Sequence, residues 1–194
     1  LVLKQAGAPF TETVMPLYRE ESSERLRHVS PSRRVPVLKH GDLVLWESLA
    51  IAEYLAEQFP EVGLWPHAPA ARALARAVSN EMHAGFSALR SYLPMDMRAR
   101  HLKHPQDHAA LADIERIVRI WSDCRARFGT GGDFLFGPYT IADAMYAPVV
   151  SRFITYDVAL EGVAARYRDA VWAWPPLQEW LQAAAAEPWV IDTL

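Results

Sequence analysis

The spacing of apolar and polar positions changes several times along the first sixty residues. Residues 1–7 have the pattern of a helix end that stops at Gly7, a residue favoured just after helix C-termini. Between residues 9 and 15, alternate side chains share a face, and this period of two predicts a strand. Residues 22–28 are polar and compatible with a helix. The chain is therefore expected to open as helix, strand, helix.

A hairpin and an amphipathic helix are predicted next. Two short apolar runs flank the turn Gly41-Asp42, which is typical of a β-hairpin over residues 35–46. From residue 47 to residue 59 the apolar side chains recur every three to four positions, so we expect a helix that ends before Pro60. This first part of the chain therefore mixes strands and helices.

After Pro60 only helical periodicities remain. Residues 66–69 are proline-rich and predict a linker. The segments predicted to be helical are 70–92, 105–128, a helix that opens with the capping sequence Thr140-Ile-Ala-Asp143, 162–172 and 176–186. We therefore expect two domains, an α/β domain over residues 1–62 and an all-helical domain over residues 68–194.

Composition narrows the classes of function. Half of the 194 residues are hydrophobic, which is enough for a sizeable core. The net charge of -3, with both signs mixed along the chain, argues against a nucleic-acid partner, and no apolar run is long enough to cross a membrane. A single cysteine excludes an intramolecular disulfide and fits a reducing compartment, so the cytoplasm is the expected location.

The residues with the most chemical information lie at the ends of the hairpin. Pro36 opens the first strand, and a cis Val35-Pro36 bond would turn the Val35 backbone towards a ligand. Glu47 and Ser48 lie where the hairpin ends and a helix begins, so a carboxylate stands beside amides that favour an anion. This arrangement suits the zwitterionic end of an α-amino acid. Taken alone, Glu47 and Ser48 are better explained as an ordinary helix cap, and it is Val35-Pro36 upstream that makes ligand binding the favoured interpretation.

These segments resemble the cytosolic glutathione transferases, in which a V-P-x-L strand and a hairpin precede E-S and a helix of the form S-x-A-I-x-x-Y-L. Val35-Pro-Val-Leu38 and Glu47-Ser-Leu-Ala-Ile-Ala-Glu-Tyr-Leu55 match this pattern. Thr140-Ile-Ala-Asp-Ala144 resembles the helix-capping motif of the family's second domain. The resemblance covers essentially the whole chain and implies a thioredoxin-like first domain followed by an all-helical one.

The resemblance also implies a ligand, glutathione, and the residues that hold it. Val35 would pair through its backbone with the cysteinyl unit, Pro36 would be cis, and Glu47 and Ser48 would hold the γ-glutamyl end. Arg34 is a weaker candidate for the glycyl carboxylate, and a solvated arginine explains it equally well. No metal is implied, and a homodimer is expected. The family's first strand, the start of its first helix and its thiol-activating residue are expected to precede Leu1, so no catalytic residue can be named.

A second-substrate pocket is expected on the helices of the second domain. Its candidate residues are His83, Phe86, Arg90, Tyr146 and Arg152, although core packing explains most of them as well. The expected reaction is transfer of the glutathione thiolate to a small hydrophobic electrophile, in a detoxification role.

Three other functions stay open. One is a glutathione-dependent isomerase resembling maleylacetoacetate isomerase, which a basic pocket from Arg90 or Arg152 would favour. A redox relative would need a cysteine before Leu1, because Cys124 lies within an amphipathic helix and is expected to be a packed thiol. A non-catalytic glutathione-binding protein would keep Glu47 and Ser48 but show no turnover.

Overall fold

The computed structural model describes residues 1–100 and 107–189. Helices make up most of the described chain, together with one two-stranded sheet. The elements, in chain order, are α1 (Val2–Gln5), α2 (Glu20–Val29), β1 (Val37–His40), β2 (Leu43–Trp46), α3 (Ser48–Gln58), α4 (Pro69–Ala84), α5 (Ser87–Tyr92), α6 (His108–Phe128), α7 (Ile141–Thr155), α8 (Gly162–Ala173) and α9 (Pro175–Ala186). No helix within these described ranges is long and apolar enough to cross a membrane.

The predicted hairpin is confirmed, whereas the predicted strand over residues 9–15 is wrong. Strand β1 pairs with β2 in antiparallel register, from Val37 opposite Trp46 to His40 opposite Leu43. Residues 9–15 have no regular secondary structure, and Phe10 and Val14 remain 42% and 48% exposed. An alternating pattern forms a strand only when a neighbouring strand accepts and donates its hydrogen bonds, and in the described chain the hairpin strands pair only with each other.

The predicted single helix over residues 70–92 is also wrong, because it is divided into α4 and α5. Gly85 ends α4, and a β-carbon at this position would lie 2.7 Å from the carbonyl oxygen of Glu81. Phe86 follows with a φ of 57°, in the left-handed region, and this turns the chain before α5 begins. The helix expected from Pro105 begins at His108, and its predicted first residues lie outside the described part of the chain.

Aromatic side chains fill the centre of the helical half. Trp121 on α6 is fully buried, and its ring contacts those of Tyr146, Phe153 and Tyr167 at centroid distances of 4.8–5.9 Å. Because these partners come from α7 and α8, a single indole joins three helices. The core of the second half is thus centred on α6 and α7.

The predicted capping sequence at the start of α7 is confirmed. The backbone amide and the hydroxyl of Thr140 both donate to one carboxylate oxygen of Asp143, at 2.8 and 2.9 Å. The other oxygen accepts from the amide of Leu135 at 3.0 Å. Asp143 is completely buried, so this carboxylate fixes both the first turn of α7 and the loop before it.

Several contacts join the mixed first half to the helical second half, and the bonds of Glu53 and Ile141 are among them. Glu53 on α3 accepts two hydrogen bonds from Arg76 on α4, at 2.8 and 3.1 Å, and one from the indole of Trp65 at 3.0 Å. The amide of Ile141, the first residue of α7, donates to the carbonyl oxygen of Leu64 at 2.9 Å. These bonds hold α4 and α7 against the segment that carries the predicted ligand residues.

Candidate functional site

The hairpin register brings the two parts of the predicted binding motif to one end of the sheet. Val37 is opposite Trp46, so the next residues outwards are Pro36 on one strand and Glu47 on the other. Val35 and Ser48 are one residue further along each segment, beyond the last pair of the ladder. The hairpin therefore places the proline-opened strand and the start of α3 side by side.

The Val35-Pro36 peptide bond is cis, as predicted. Val35 lies outside the β1–β2 ladder and is 48% exposed to solvent. Just before it, the buried hydroxyl of Ser30 donates to the carbonyl oxygen of Arg34 at 2.8 Å and lies 3.2 Å from the amide of Arg34. The backbone before Val35 is therefore held in place, while the Arg34 side chain remains exposed.

Glu47 has an unusual backbone conformation and does not cap the helix that follows it. Its φ of 68° and ψ of 118° lie in a region that a residue with a side chain rarely adopts, and such strain is concentrated at functional sites. The side chain makes no capping hydrogen bond to α3, so the interpretation of Glu47 as an ordinary cap does not hold. The first intrahelical bond runs from Ile51 to the carbonyl oxygen of Glu47. The amides of the first turn, beginning with Ser48, have no acceptor within α3.

His83 lies against the carboxylate of Glu47. Its Nε2 atom is 3.2 Å from Oε2 of Glu47, and the two side chains are 36% and 49% exposed. The imidazole comes from the last turn of α4, so the helical half contributes directly to the predicted ligand site. The sequence pattern placed His83 on the wall of the second-substrate pocket and contained no signal for this contact.

Two of the other predicted pocket residues belong to the core. Phe86 is buried, and Tyr146 is fully buried with its hydroxyl donating to the carbonyl oxygen of Val78 at 3.2 Å. This bond satisfies the polar atom of Tyr146 without a ligand.

Arg90 and Arg152 lie close enough for their charges to repel. Arg90 is exposed and donates to the carbonyl oxygens of Met82 and His83. Arg152 donates from Nε to the carbonyl oxygen of Leu93 at 2.8 Å, and its burial, reinforced by the charge of Arg90, lowers its pKa to about 10. In the described chain neither arginine has a carboxylate within ion-pair distance. Such a pair of cations favours a negatively charged ligand.

The described residues contain neither an exposed thiol nor a cluster of side chains suited to a metal ion. Cys124 is buried, and burial raises the pKa of its thiol to about 12, so it stays protonated and unreactive at neutral pH. No group of three histidine, cysteine or acidic side chains in the described ranges has the arrangement of a metal site.

Two family models match the chain. The model described as "Glutathione S-transferase, N-terminal domain" matches residues 1–58, and "Glutathione S-transferase, C-terminal domain" matches residues 99–183. The first match contains the hairpin and Glu47, and the second contains α6, α7 and Asp143.

Individual proteins show the same similarity. A probable maleylacetoacetate isomerase of Caenorhabditis elegans is 41% identical over 73 residues, which are 38% of this chain and 34% of that protein. Glutathione S-transferase 1 of Dianthus caryophyllus is 34% identical over 80% of this chain and 71% of its own length. A crystal structure of a glutathione transferase homologue from Burkholderia GL BGR1 with bound glutathione has a TM-score of 0.70 and 27% identity, and the match covers 96% of this chain and 89% of that one. The chain thus spans only about a third of the worm protein but most of the other two.

Proposed function

Because this chain belongs to the glutathione S-transferase family, with a thioredoxin-like first domain and a helical second domain, we propose that it binds glutathione and transfers the glutathione sulfur to a small hydrophobic electrophile. One observation supports the binding above all others. The hairpin register places the Val35 backbone at the same end of the sheet as Glu47, whose carboxylate does not cap α3. A γ-linked tripeptide needs these two kinds of contact at once.

Each part of glutathione has a partner of suitable chemistry. Glu47 accepts from the γ-glutamyl ammonium group, and the hydroxyl and amide of Ser48 donate to the neighbouring carboxylate. The dipole of α3 adds to this binding, because its positive end faces the anion. The backbone of Val35, the exposed residue just before the cis proline Pro36, pairs with the cysteinyl unit. Arg34 is the candidate partner of the glycyl carboxylate.

The chemistry that the bound tripeptide supplies is nucleophilic attack by sulfur, in which a carbon–sulfur bond forms while the thiol proton and the leaving group depart. The described residues contribute binding and orientation to this reaction. Cys124, the single cysteine of the sequence, is buried and does not supply the reacting thiol.

We expect Glu47→Ala and Ser48→Ala each to weaken glutathione binding by about 1 to 3 kcal/mol, the usual loss for a hydrogen bond to a charged group. Isothermal titration calorimetry and retention on immobilised glutathione measure the effect. Glu57→Ala is the matched control, because it removes an exposed carboxylate from the same helix and should leave binding unchanged. Unchanged binding in both site variants would remove the proposed site.

The proposal also covers the oligomeric state, the biological role and the location of the protein. We infer a homodimer, which the resemblance implies, and a detoxification role for the transfer reaction. The cytoplasm is the proposed location, which the single cysteine supports.

The arginine pair favours a second function, glutathione-dependent isomerisation of a dicarboxylate. Arg90 and Arg152 repel one another without a neighbouring carboxylate in the described chain, and a bound dianion would remove that repulsion. The worm relative, a probable maleylacetoacetate isomerase, points the same way. The isomerase and transferase proposals share the glutathione site and differ only in the second substrate.

Maleate titrated into the glutathione complex tests this second function. We expect Arg152→Met to weaken maleate binding about ten-fold, because a charge-assisted contact is lost. Arg119→Met removes an exposed arginine from α6 and should bind maleate as the wild type does. If maleate does not bind the wild-type complex, the isomerase proposal fails and the transferase proposal remains.

A further inference from the structure

We propose that His83 is a positioning residue for the γ-glutamyl end of glutathione, acting through the carboxylate of Glu47. This inference rests on the proposed function, because it assigns a role within the same ligand site. His83, which was expected to line the second-substrate pocket, is thereby assigned to the glutathione site.

The contact places a histidine nitrogen within ion-pair distance of a carboxylate oxygen. An ionised carboxylate only accepts hydrogens, so the approach of Nε2 to Oε2 of Glu47 at 3.2 Å is favourable when Nε2 carries a proton. A carboxylate has two oxygens, and His83 lies against one of them. The other oxygen of Glu47 then remains for the ammonium group of the ligand, and its direction is set by the imidazole.

The imidazole is well placed to hold Glu47, because its own backbone is fixed. Arg90 donates to the carbonyl oxygens of Met82 and His83 at the end of α4, while the Met82 side chain is buried in the core. Earlier in α4, Arg76 donates two hydrogen bonds to Glu53 on α3. The helix that carries His83 is therefore held against the helix that Glu47 precedes.

A purely structural role explains this pair poorly. Both side chains are more than a third exposed, and ion pairs between such side chains add little to folding stability. Glu47 nevertheless adopts a rare backbone conformation at this position. A contact that stabilises the fold so weakly is better explained by what it does to the ligand.

The test compares two ligands across two variants. Glutathione and an analogue without the γ-glutamyl amino group are titrated calorimetrically into the wild type, His83→Ala and His83→Gln. We expect His83→Ala to weaken glutathione binding about two- to five-fold and to leave binding of the analogue unchanged. We expect His83→Gln to restore most of the affinity, because a glutamine amide can place an N–H beside the Glu47 carboxylate.

The controls separate this inference from the proposed function. His28→Ala removes an exposed histidine from α2 and should bind both ligands as the wild type does. Equal losses for the two ligands, or no loss with glutathione, would overturn the role of His83 while the glutathione site remains. Absence of glutathione binding by the wild type would overturn both.

Discussion

Replacement of Asp143 by alanine is expected to lower the free energy of unfolding by about 3 to 5 kcal/mol, because three buried donors lose their acceptor. The amide of Leu135 and the amide and hydroxyl of Thr140 all donate to this carboxylate. None of these donors can reach water, since the carboxylate they surround is completely buried. Urea denaturation followed by circular dichroism measures the loss.

Asp133→Ala is the matched control for this prediction. Asp133 is exposed in the loop that precedes α7, and its removal should change the unfolding free energy by no more than about 0.5 kcal/mol. A similar small effect of Asp143→Ala would mean that the buried hydrogen bonds do not hold α7 in place.

The same carboxylate is expected to make stability depend on pH. Burial raises the pKa of Asp143 from 3.8 to about 6, although the hydrogen bonds from Leu135 and Thr140 act in the opposite direction. The folded state therefore binds more protons than the unfolded state between these two values. The stabilisation from this group is complete below the unfolded pKa and is lost as the pH rises through the folded one.

Asp143→Asn tests this dependence because an amide does not titrate. We expect the stability advantage of the wild type over Asp143→Asn to shrink by about 2 kcal/mol between about pH 4.5 and about pH 7. The difference between the two proteins at each pH cancels the titration of the other carboxylates. An advantage that stays constant or grows with pH would show that the carboxyl does not have the raised pKa.

Local patterns predicted most of the fold because their signals are short in range. The hairpin followed from two apolar runs around Gly41-Asp42, and the start of α7 followed from the spacing of Thr140 and Asp143. The strand expected over residues 9–15 was wrong, since alternation does not reveal whether a partner strand is present. The break at Gly85 was missed because the left-handed turn at Phe86 depends on packing between helices.

The candidate site was predicted in part for the same reason. Val35, Pro36, Glu47 and Ser48 lie within one supersecondary unit, so their proximity follows from the hairpin alone. The contact between Glu47 and His83 joins two halves of the chain, and no periodicity encodes it. The sequence pattern also did not reveal that Tyr146 is fully buried with its hydroxyl bonded to Val78, because helical spacing does not distinguish a pocket wall from the core.

The hydrogen bonds of Glu53 also affect how much ordering of the protein ligand binding requires. By bonding to Trp65 and Arg76 together, Glu53 fixes the angle between the hairpin unit and the helical half without help from any ligand. In the proposed site, His83 of the helical half positions Glu47, so a bound tripeptide does not have to bring the two halves together and less of its binding energy is lost to ordering the protein. Selection for tight binding can therefore act on a carboxylate that lies outside the proposed ligand contacts.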